Sequence, residues 1–358
     1  MSRSDEIESL IATFEAGLRG KPDYALHMIG LAEMVAKKKH KLRAFELARI
    51  GLAAGQGDPR VVARGRALLH SLLPGYHVPM MNDAWRNAAW DAVLRRAIKP
   101  GMQVFEIGTG AGMLALMAAR AGAAHVFTCE SDPVAAALAR ELAGHNGYAD
   151  RITVLDKPSQ DVKVGIDLPR PADLLFCDIF GDDLFTFDPL GAIADAKARL
   201  LAQGAITVPA AASLRVALAA WSDYPRIGRL ESACGFDLTP MADFTTAAKS
   251  SAIGDRDLRL MSEPVELLRI AFSESFALHG DVEVTCEASE DGSANGLARW
   301  LRLELDGETT LEARPEPGAV FFSSLNILPL PVPCAVRRDE AYTIKAAYSH
   351  RKIETWLA

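Results

Sequence analysis

One stretch limits what this chain can fold into: Val104-Phe-Glu-Ile-Gly-Thr-Gly-Ala-Gly112, followed at once by Met113-Leu-Ala-Leu-Met-Ala-Ala-Arg120. Val104, Phe105 and Ile107 make a short apolar run, the mark of a strand buried in a parallel sheet. The run breaks into glycines at alternate positions, and the apolar spacing then becomes that of a helix rich in Leu, Ala and Met. Glycines at such a turn let the backbone bend sharply and approach a ligand closely, with the helix N-terminus aimed at it.

Two acids narrow the reading. Glu106 stands two residues before the first glycine, inside the end of the strand. Ala123-Ala-His-Val-Phe-Thr-Cys-Glu130 reads as a second strand that ends in an acid 18 residues after Gly112. An acid there can accept hydrogen bonds from ribose hydroxyls. No Lys-Ser/Thr pair follows the glycines, which excludes a GxxxxGK phosphate loop. A dinucleotide-binding fold with irregular glycine spacing stays open at this point. The pattern acid-x-Gly-x-Gly-x-Gly resembles that of the class I S-adenosylmethionine methyltransferases. That resemblance implies that Glu106, Gly108, Gly110, Gly112 and Glu130 hold S-adenosyl-L-methionine, with S-adenosyl-L-homocysteine as its product.

Composition sets the outer limits. A chain of 358 residues has room for two or three domains with proper cores. Hydrophobic content of 49% and charged content of 24% are ordinary for a soluble protein. No apolar run approaches a membrane span, and Met-Ser-Arg-Ser-Asp-Glu at the start has no signal-peptide core, so a cytoplasmic protein is expected. Cys129, Cys177, Cys234, Cys286 and Cys334 are scattered without any C-x-x-C, which points to a reducing compartment and no metal site. A net charge of −7 argues against nucleic-acid binding and mildly favours cationic substrates.

Before the glycine strand, residues 1–75 read as a helical module. Asp5 to Leu18, Tyr24 to Lys38, Lys41 to Ala54 and Pro59 to Leu73 carry apolar residues at helical spacing. Asp58-Pro59 reads as a helix cap followed by a first-turn proline. The basic run Lys37-Lys-Lys-His-Lys-Leu-Arg43 reads as a solvated turn. Paired helices would suit a tetratricopeptide-type adaptor, but no repeat signature is present.

Residues 76–210 read as the nucleotide-binding domain. Its first part, Tyr76-His-Val-Pro-Met-Met-Asn-Asp-Ala-Trp-Arg86, turns helical from Asp83. By itself His77 would read as a surface or capping histidine. His77, Met80 and Asp83-x-x-Arg86 together resemble the helix that covers the cofactor in the protein arginine methyltransferases. A guanidinium fork pairs well with a carboxylate, and in that family the matching arginine binds the cofactor's. The resemblance puts His77 and Arg86 on the cofactor and Met80 near the reacting centre.

Asp150 to Leu155 reads as a third strand, running into Asp156-Lys-Pro-Ser-Gln-Asp161. This loop is similar to that of the family's monomethylating branch, which implies that Ser159 and Gln160 meet the adenine. Gln160 replaces the acid common there and still offers an acceptor to an amino group. Ala172-Asp-Leu-Leu-Phe-Cys-Asp178 reads as a fourth strand that ends in an acid at the edge where such sheets bind ligands. In the family, two glutamates beyond this strand grip the substrate guanidinium. Asp178 matches the first, one methylene shorter. The second falls at Phe187, with Asp188 the nearest acid, while Asp182 and Asp183 read as solvated loop acids. Asp178 is therefore expected to fix the acceptor and Asp188 to assist.

Leu200 to Pro209 reads as a further strand, and residues 211–358 then turn to β texture. Ala298 to Leu305 alternates, with Leu301, Leu303 and Leu305 on one face. Cys234-Gly-Phe-Asp-Leu-Thr239 resembles the family's segment near its dimerisation arm, which implies an arm near residues 233–255 and a homodimer. The remainder follows the order of the family's C-terminal barrel, but Phe321-Phe-Ser-Ser324 stands where the family has Thr-His-Trp. The expected architecture is thus α/β plus β: a helical module, a Rossmann-like class I methyltransferase sheet and a β-barrel-like domain. The expected activity is methyl transfer to a guanidino group of protein arginine, free arginine or a relative. The alternatives are a family methyltransferase with a non-guanidine acceptor and an inactive cofactor-binding adaptor.

Overall fold

The computed structural model describes residues 3–224, 232–244, 249–252, 257–315 and 324–358. Helices α1 (Arg3–Leu18), α2 (Tyr24–Lys37), α3 (Lys41–Ala54) and α4 (Pro59–Leu72) come where the apolar spacing placed them. Asp58 caps α4, its carboxylate accepting the Arg60 amide at 2.8 Å. Met28, Ile29, Leu47, Ala48 and Val61 form a core between these helices. The basic run does turn between α2 and α3, and two of its charges also find acidic partners. Lys41 Nζ lies 3.0 Å from Asp132 Oδ2, and Arg43 pairs with Glu15 and Glu46.

Two helices follow, α5 (His77–Asn82) and α6 (Ala84–Ala97), the second capped by Asp83, which accepts the Arg86 amide at 2.9 Å. Then comes a sheet of five parallel strands: β1 (Gln103–Ile107), β2 (His125–Glu130), β3 (Ile152–Asp156), β4 (Ala172–Cys177) and β5 (Leu201–Val208). Their order is β3-β2-β1-β4-β5, with α7 (Met113–Arg120), α8 (Pro133–His145) and α9 (Pro189–Arg199) as the connecting helices. Strand β1 is buried at all five positions, Gln103 and Glu106 included, as a central strand of a parallel sheet is. Strand order reverses between β1 and β4, so a crevice lies outside their carboxyl ends. Cys129 and Cys177 sit inside this sheet, and burial pushes the Cys129 thiol up to about 12.

The rest of the chain is antiparallel. Strand β6 (Ala211–Trp221) leads to a small hairpin of β7 (Ser232–Ala233) and β8 (Phe236–Asp237), turned through Cys234 and Gly235 at positive φ. Short strands β9 (Lys249–Ala252) and β10 (Leu258–Leu260) precede β11 (Val265–Ala271), β12 (His279–Glu287) and β13 (Gly292–Glu304). Strands β14 (Thr310–Glu312), β15 (Ser324–Val336), β16 (Ala341–Ser349) and β17 (Lys352–Leu357) complete it. Of the expected dimerisation arm, residues 245–248 and 253–256 lie outside the described residues, as do Phe321, Phe322 and Ser323.

Strand β13, continued by Leu305, has Leu301, Leu303 and Leu305 on one face, as the alternation of Ala298 to Leu305 implied. It lies between β6 and β15 and is buried on both sides. Leu297, Leu301 and Leu303 join the large core of the parallel sheet, while Ala298 and Trp300 pack with Leu325 and Ile327. One apolar cluster runs from Trp90 through the parallel sheet to Ala346, crossing the boundary expected near residue 210. Among the described residues, no helix is long and apolar enough to cross a membrane.

Candidate active site

A cavity of about 670 Å³ opens at the carboxyl ends of β1 and β4. Ten of the twelve residues singled out from the sequence line it: His77, Met80, Arg86, Glu106, Gly108, Gly110, Glu130, Ser159, Gln160 and Asp178. Gly112 and Asp188 do not.

Two glycines shape the turn after β1. Gly110 has φ +54°, and a Cβ there would come within 2.8 Å of His77 Cε1, so only glycine lets the histidine ring lie on the turn. Gly112 has φ +94° and packs against Ala139 of α8, where a Cβ would meet the backbone at 3.2 Å. It brings α7 and α8 together and lies behind the cavity wall.

Backbone amides set the acid at the end of β2. Glu130 Oε2 accepts the Gly110 amide at 2.9 Å and Oε1 accepts the Asp132 amide at 2.8 Å. The Asp132 side chain in turn caps α8 and takes Lys41 from the helical module. Ser159 and Gln160 sit on the loop after β3, held from behind by Arg199, which donates to both carbonyls at 3.3 Å.

Glu106 is 1% exposed, and its Oε2 has no hydrogen-bond partner among the described residues. Burial pushes its carboxyl up to about 7, against the downward pull of the Thr109 and Thr128 hydroxyls and the Arg86 charge. His77 is buried, its ring tilted against that of Tyr76 with centroids 4.6 Å apart, and its Nδ1 also lacks a partner among the described residues. Burial lowers its pKa, which keeps the ring neutral at physiological pH.

Across the crevice, Arg86 Nε donates to Asp178 Oδ2 at 2.8 Å, and Nη2 donates to the same oxygen. The side chains are 3% and 11% exposed. Arg86 Nη1 donates to Asn87 Oδ1 at 3.0 Å, and Asn87 Nδ2 donates to the Met81 carbonyl at 2.8 Å, fastening α5 to α6. The resemblance had put Arg86 on the cofactor and Asp178 on the acceptor; the fold brings them onto each other.

The loop after β4 differs most from expectation. Asp188 stands at φ +54° as the cap of α9, with Oδ1 accepting the Gly191 amide at 3.1 Å and Oδ2 at 3.5 Å from Arg351 Nε. The structure thus gives it a capping role away from the cavity. The acid of this loop that lines the cavity is Asp182, together with Thr186 and the exposed ring of Phe187. Asp183 is not solvated either: its Oδ1 accepts from the Phe185 amide (2.8 Å), the Thr186 amide (3.0 Å) and the Thr186 hydroxyl (2.9 Å). Asp182 and Phe187 were both visible in the sequence, Phe187 as the residue standing in the family's glutamate position. Nothing local marked them as wall residues.

A parallel sheet with an acid ending β1, a glycine turn, an acid ending β2 and a cavity at the switch point defines a class I S-adenosylmethionine-dependent methyltransferase. Residues 92–208 match the family described as ribosomal protein L11 methyltransferase (PrmA). The chain is 32% identical over 279 residues to the arginine N(omega)-methyltransferase of Streptomyces achromogenes subsp. streptozoticus, covering 77% of each chain. It belongs to the arginine N-methyltransferase family.

It is also 29% identical over 260 residues to protein arginine N-methyltransferase 7 of Drosophila grimshawi, covering 66% of this chain and 37% of that longer one. Two solved structures share the fold. The Trypanosoma brucei protein arginine methyltransferase 1 enzyme–prozyme heterotetrameric complex with AdoHcy matches with a TM-score of 0.68 at 19% identity, over 76% of this chain and 87% of that one. Arabidopsis thaliana protein arginine methyltransferase 10 matches at 0.65 and 16%, over 78% and 90%. The cavity's own chemistry fits S-adenosylmethionine: a carboxylate fixed by amides for ribose hydroxyls, and unpaired buried polar atoms at Glu106 and His77 for the ligand's polar groups.

Proposed function

We propose that this chain methylates a guanidino nitrogen of arginine, in a protein, as the free amino acid or in a related small molecule. The observation that carries the reading is Asp178, which ends β4 opposite the glycine turn with its carboxylate oriented by a buried arginine. When bound, S-adenosylmethionine supplies an electrophilic methyl group on its sulfonium.

The residues of the chain do the rest. A guanidinium is protonated at ordinary pH and has no free lone pair, so it must be oriented and its charge compensated. The Nε and Nη2 bonds from Arg86 both go to Asp178 Oδ2, which leaves Oδ1 to receive an acceptor N–H. Asp182 takes the assisting role in place of Asp188, because it lines the cavity. Phe187 offers the guanidinium a ring face, a contact that suits a planar cation. Glu130 sets the ribose, Glu106 and Arg86 close the site behind it, and Met80 lies on the wall near the acceptor. Most of the rate comes from holding the acceptor nitrogen at contact distance in a site sheltered from water.

The same reading includes a homodimer through residues 233–255, supported by exposed Phe236 and Met241 beside the hairpin, and a cytoplasmic location, supported by five unpaired cysteines. Division into residues 1–75, 76–210 and 211–358 is part of it, supported by the separate core of the helical module. The test is mass spectrometry of products after incubation with S-adenosylmethionine, offering free L-arginine and an arginine-rich peptide in parallel. A methylated product of either one supports the assignment and selects the acceptor class. Bound cofactor with neither product formed overturns it.

A further inference from the structure

We infer that Arg299 of the C-terminal sheet is a positioning residue for acceptor binding, acting through Asp183 to hold the loop between β4 and α9 in its cavity-facing shape. The inference deepens the guanidino-methyltransferase reading and rests on it for its kinetic arm. Among the described residues, those lining the cavity all lie at or before Ala192, and the C-terminal sheet reaches this loop through Arg299 and Asn326.

Arg299 lies in β13, a strand buried on both faces, and is 4% exposed. Its Nη1 donates to Thr355 Oγ1 at 2.8 Å, while Nε has no hydrogen-bond partner among the described residues. Its ion-pair partner among them is Asp183, with Nη2 at 3.7 Å from Oδ2. Burying a guanidinium is costly unless an anion stays beside it. Desolvation accordingly pulls the Arg299 pKa down and Asp183 opposes it.

Asp183 therefore does two things with one carboxylate. Oδ2 answers Arg299, while Oδ1 gathers the Phe185 and Thr186 amides and the Thr186 hydroxyl into a turn. Asn326, the cross-strand partner of Arg299 on β15, donates its Nδ2 to the Asp182 carbonyl at 3.4 Å. Two adjacent positions of one antiparallel ladder thus hold consecutive loop residues. The fastened turn presents Asp182, Thr186 and Phe187 to the cavity. Cofactor contacts come from other elements, so the two halves of the site are separable.

The experiment compares wild type, Arg299→Met, Arg299→Lys, Asp183→Asn and the double variant Arg299→Met/Asp183→Asn. Three readouts are taken: affinity for S-adenosylhomocysteine by calorimetry, kinetics on the acceptor found by the product assay, and amide hydrogen exchange. Arg299→Met and Asp183→Asn are each expected to lower kcat/KM for the acceptor on the order of 10-fold or more, with S-adenosylhomocysteine affinity unchanged. The double variant is expected to be no worse than the poorer single one, and Arg299→Lys to recover part of the loss. Exchange at Phe185 and Thr186 is expected to quicken in both single variants.

Unchanged exchange in a folded Arg299→Met overturns the inference, as do strictly additive losses or an equal weakening of S-adenosylhomocysteine binding. Should Arg299→Met fail to fold, Asp183→Asn carries the same readouts. Should wild type methylate no guanidine, the function reading fails, and the exchange data alone still decide the loop's attachment.

Discussion

Arg86 and Asp178, 92 positions apart in the chain, meet at one carboxylate oxygen, with Arg86 Nε 2.8 Å from Asp178 Oδ2. The pair bridges α6 and the end of β4 at the wall of the cavity. With side chains 3% and 11% exposed, neither charge is stable there alone.

Removing one partner should therefore cost more than removing both. Arg86→Ala is expected to destabilise the fold by about 3–5 kcal/mol and to abolish measurable turnover. Arg86→Ala/Asp178→Ala should melt higher than Arg86→Ala alone while remaining inactive. Thermal melts of the three proteins, side by side with the product assay, check this.

Glu106 makes stability depend on pH in a defined window. Its carboxyl is raised from 4.5 to about 7, so the native state holds a proton that the unfolded chain gives up above 4.5. That contribution is fully present below pH 4.5 and is lost as pH rises towards 7, by roughly 3 kcal/mol at most. Glu106→Gln should remove the slope and raise the melting temperature at pH 7.5, while S-adenosylhomocysteine binding weakens. Melting curves from pH 4.5 to 8, with calorimetric titration at pH 7.5, would show whether the two effects part in this way.

Asp188 should behave as a cap and Phe187 as a wall of the site. Asp188→Ala is expected to cost about 1 kcal/mol of stability with kcat nearly unchanged. Phe187→Ala should raise the acceptor KM several-fold at constant stability. Steady-state kinetics and denaturant unfolding of both variants test the exchange of roles. A collapse of kcat in Asp188→Ala would restore Asp188 to the acceptor.

Gly110→Ala should act on the cofactor. A methyl group there meets His77 at 2.8 Å in a backbone conformation with φ +54°, so either the ring or the turn must move. S-adenosylhomocysteine affinity is expected to fall by about tenfold or more, measured by calorimetry.

The parallel sheet was legible because its signals are local: an apolar run, glycines that must turn, and an acid at or beside the end of each of β1 to β4. Helix ends were legible for the same reason, as at Asp58 and Asp83, whose side chains cap the backbone two and three residues on. The loop after β4 was not. Whether Asp182, Asp183 or Asp188 faces the cavity depends on Arg299, Asn326 and Arg351, which lie more than a hundred residues away and arrive through the antiparallel sheet. Alternation placed Leu301, Leu303 and Leu305 on one face at β13, while the second apolar cluster on its other face, around Trp300, left no local signal.

The helical module is held to α8 by Lys41 on Asp132, by Arg49 on Glu141, and by Val134, which is buried in the module's own core. Asp132 also gives its amide to Glu130. Lys41 and Glu130 are thus linked through Asp132, which ties the first four helices to an acid lining the cavity. Shortening the chain to its parallel sheet would strip the apolar cover from Val134, Ala137 and Leu138 of α8 and remove that tie as well.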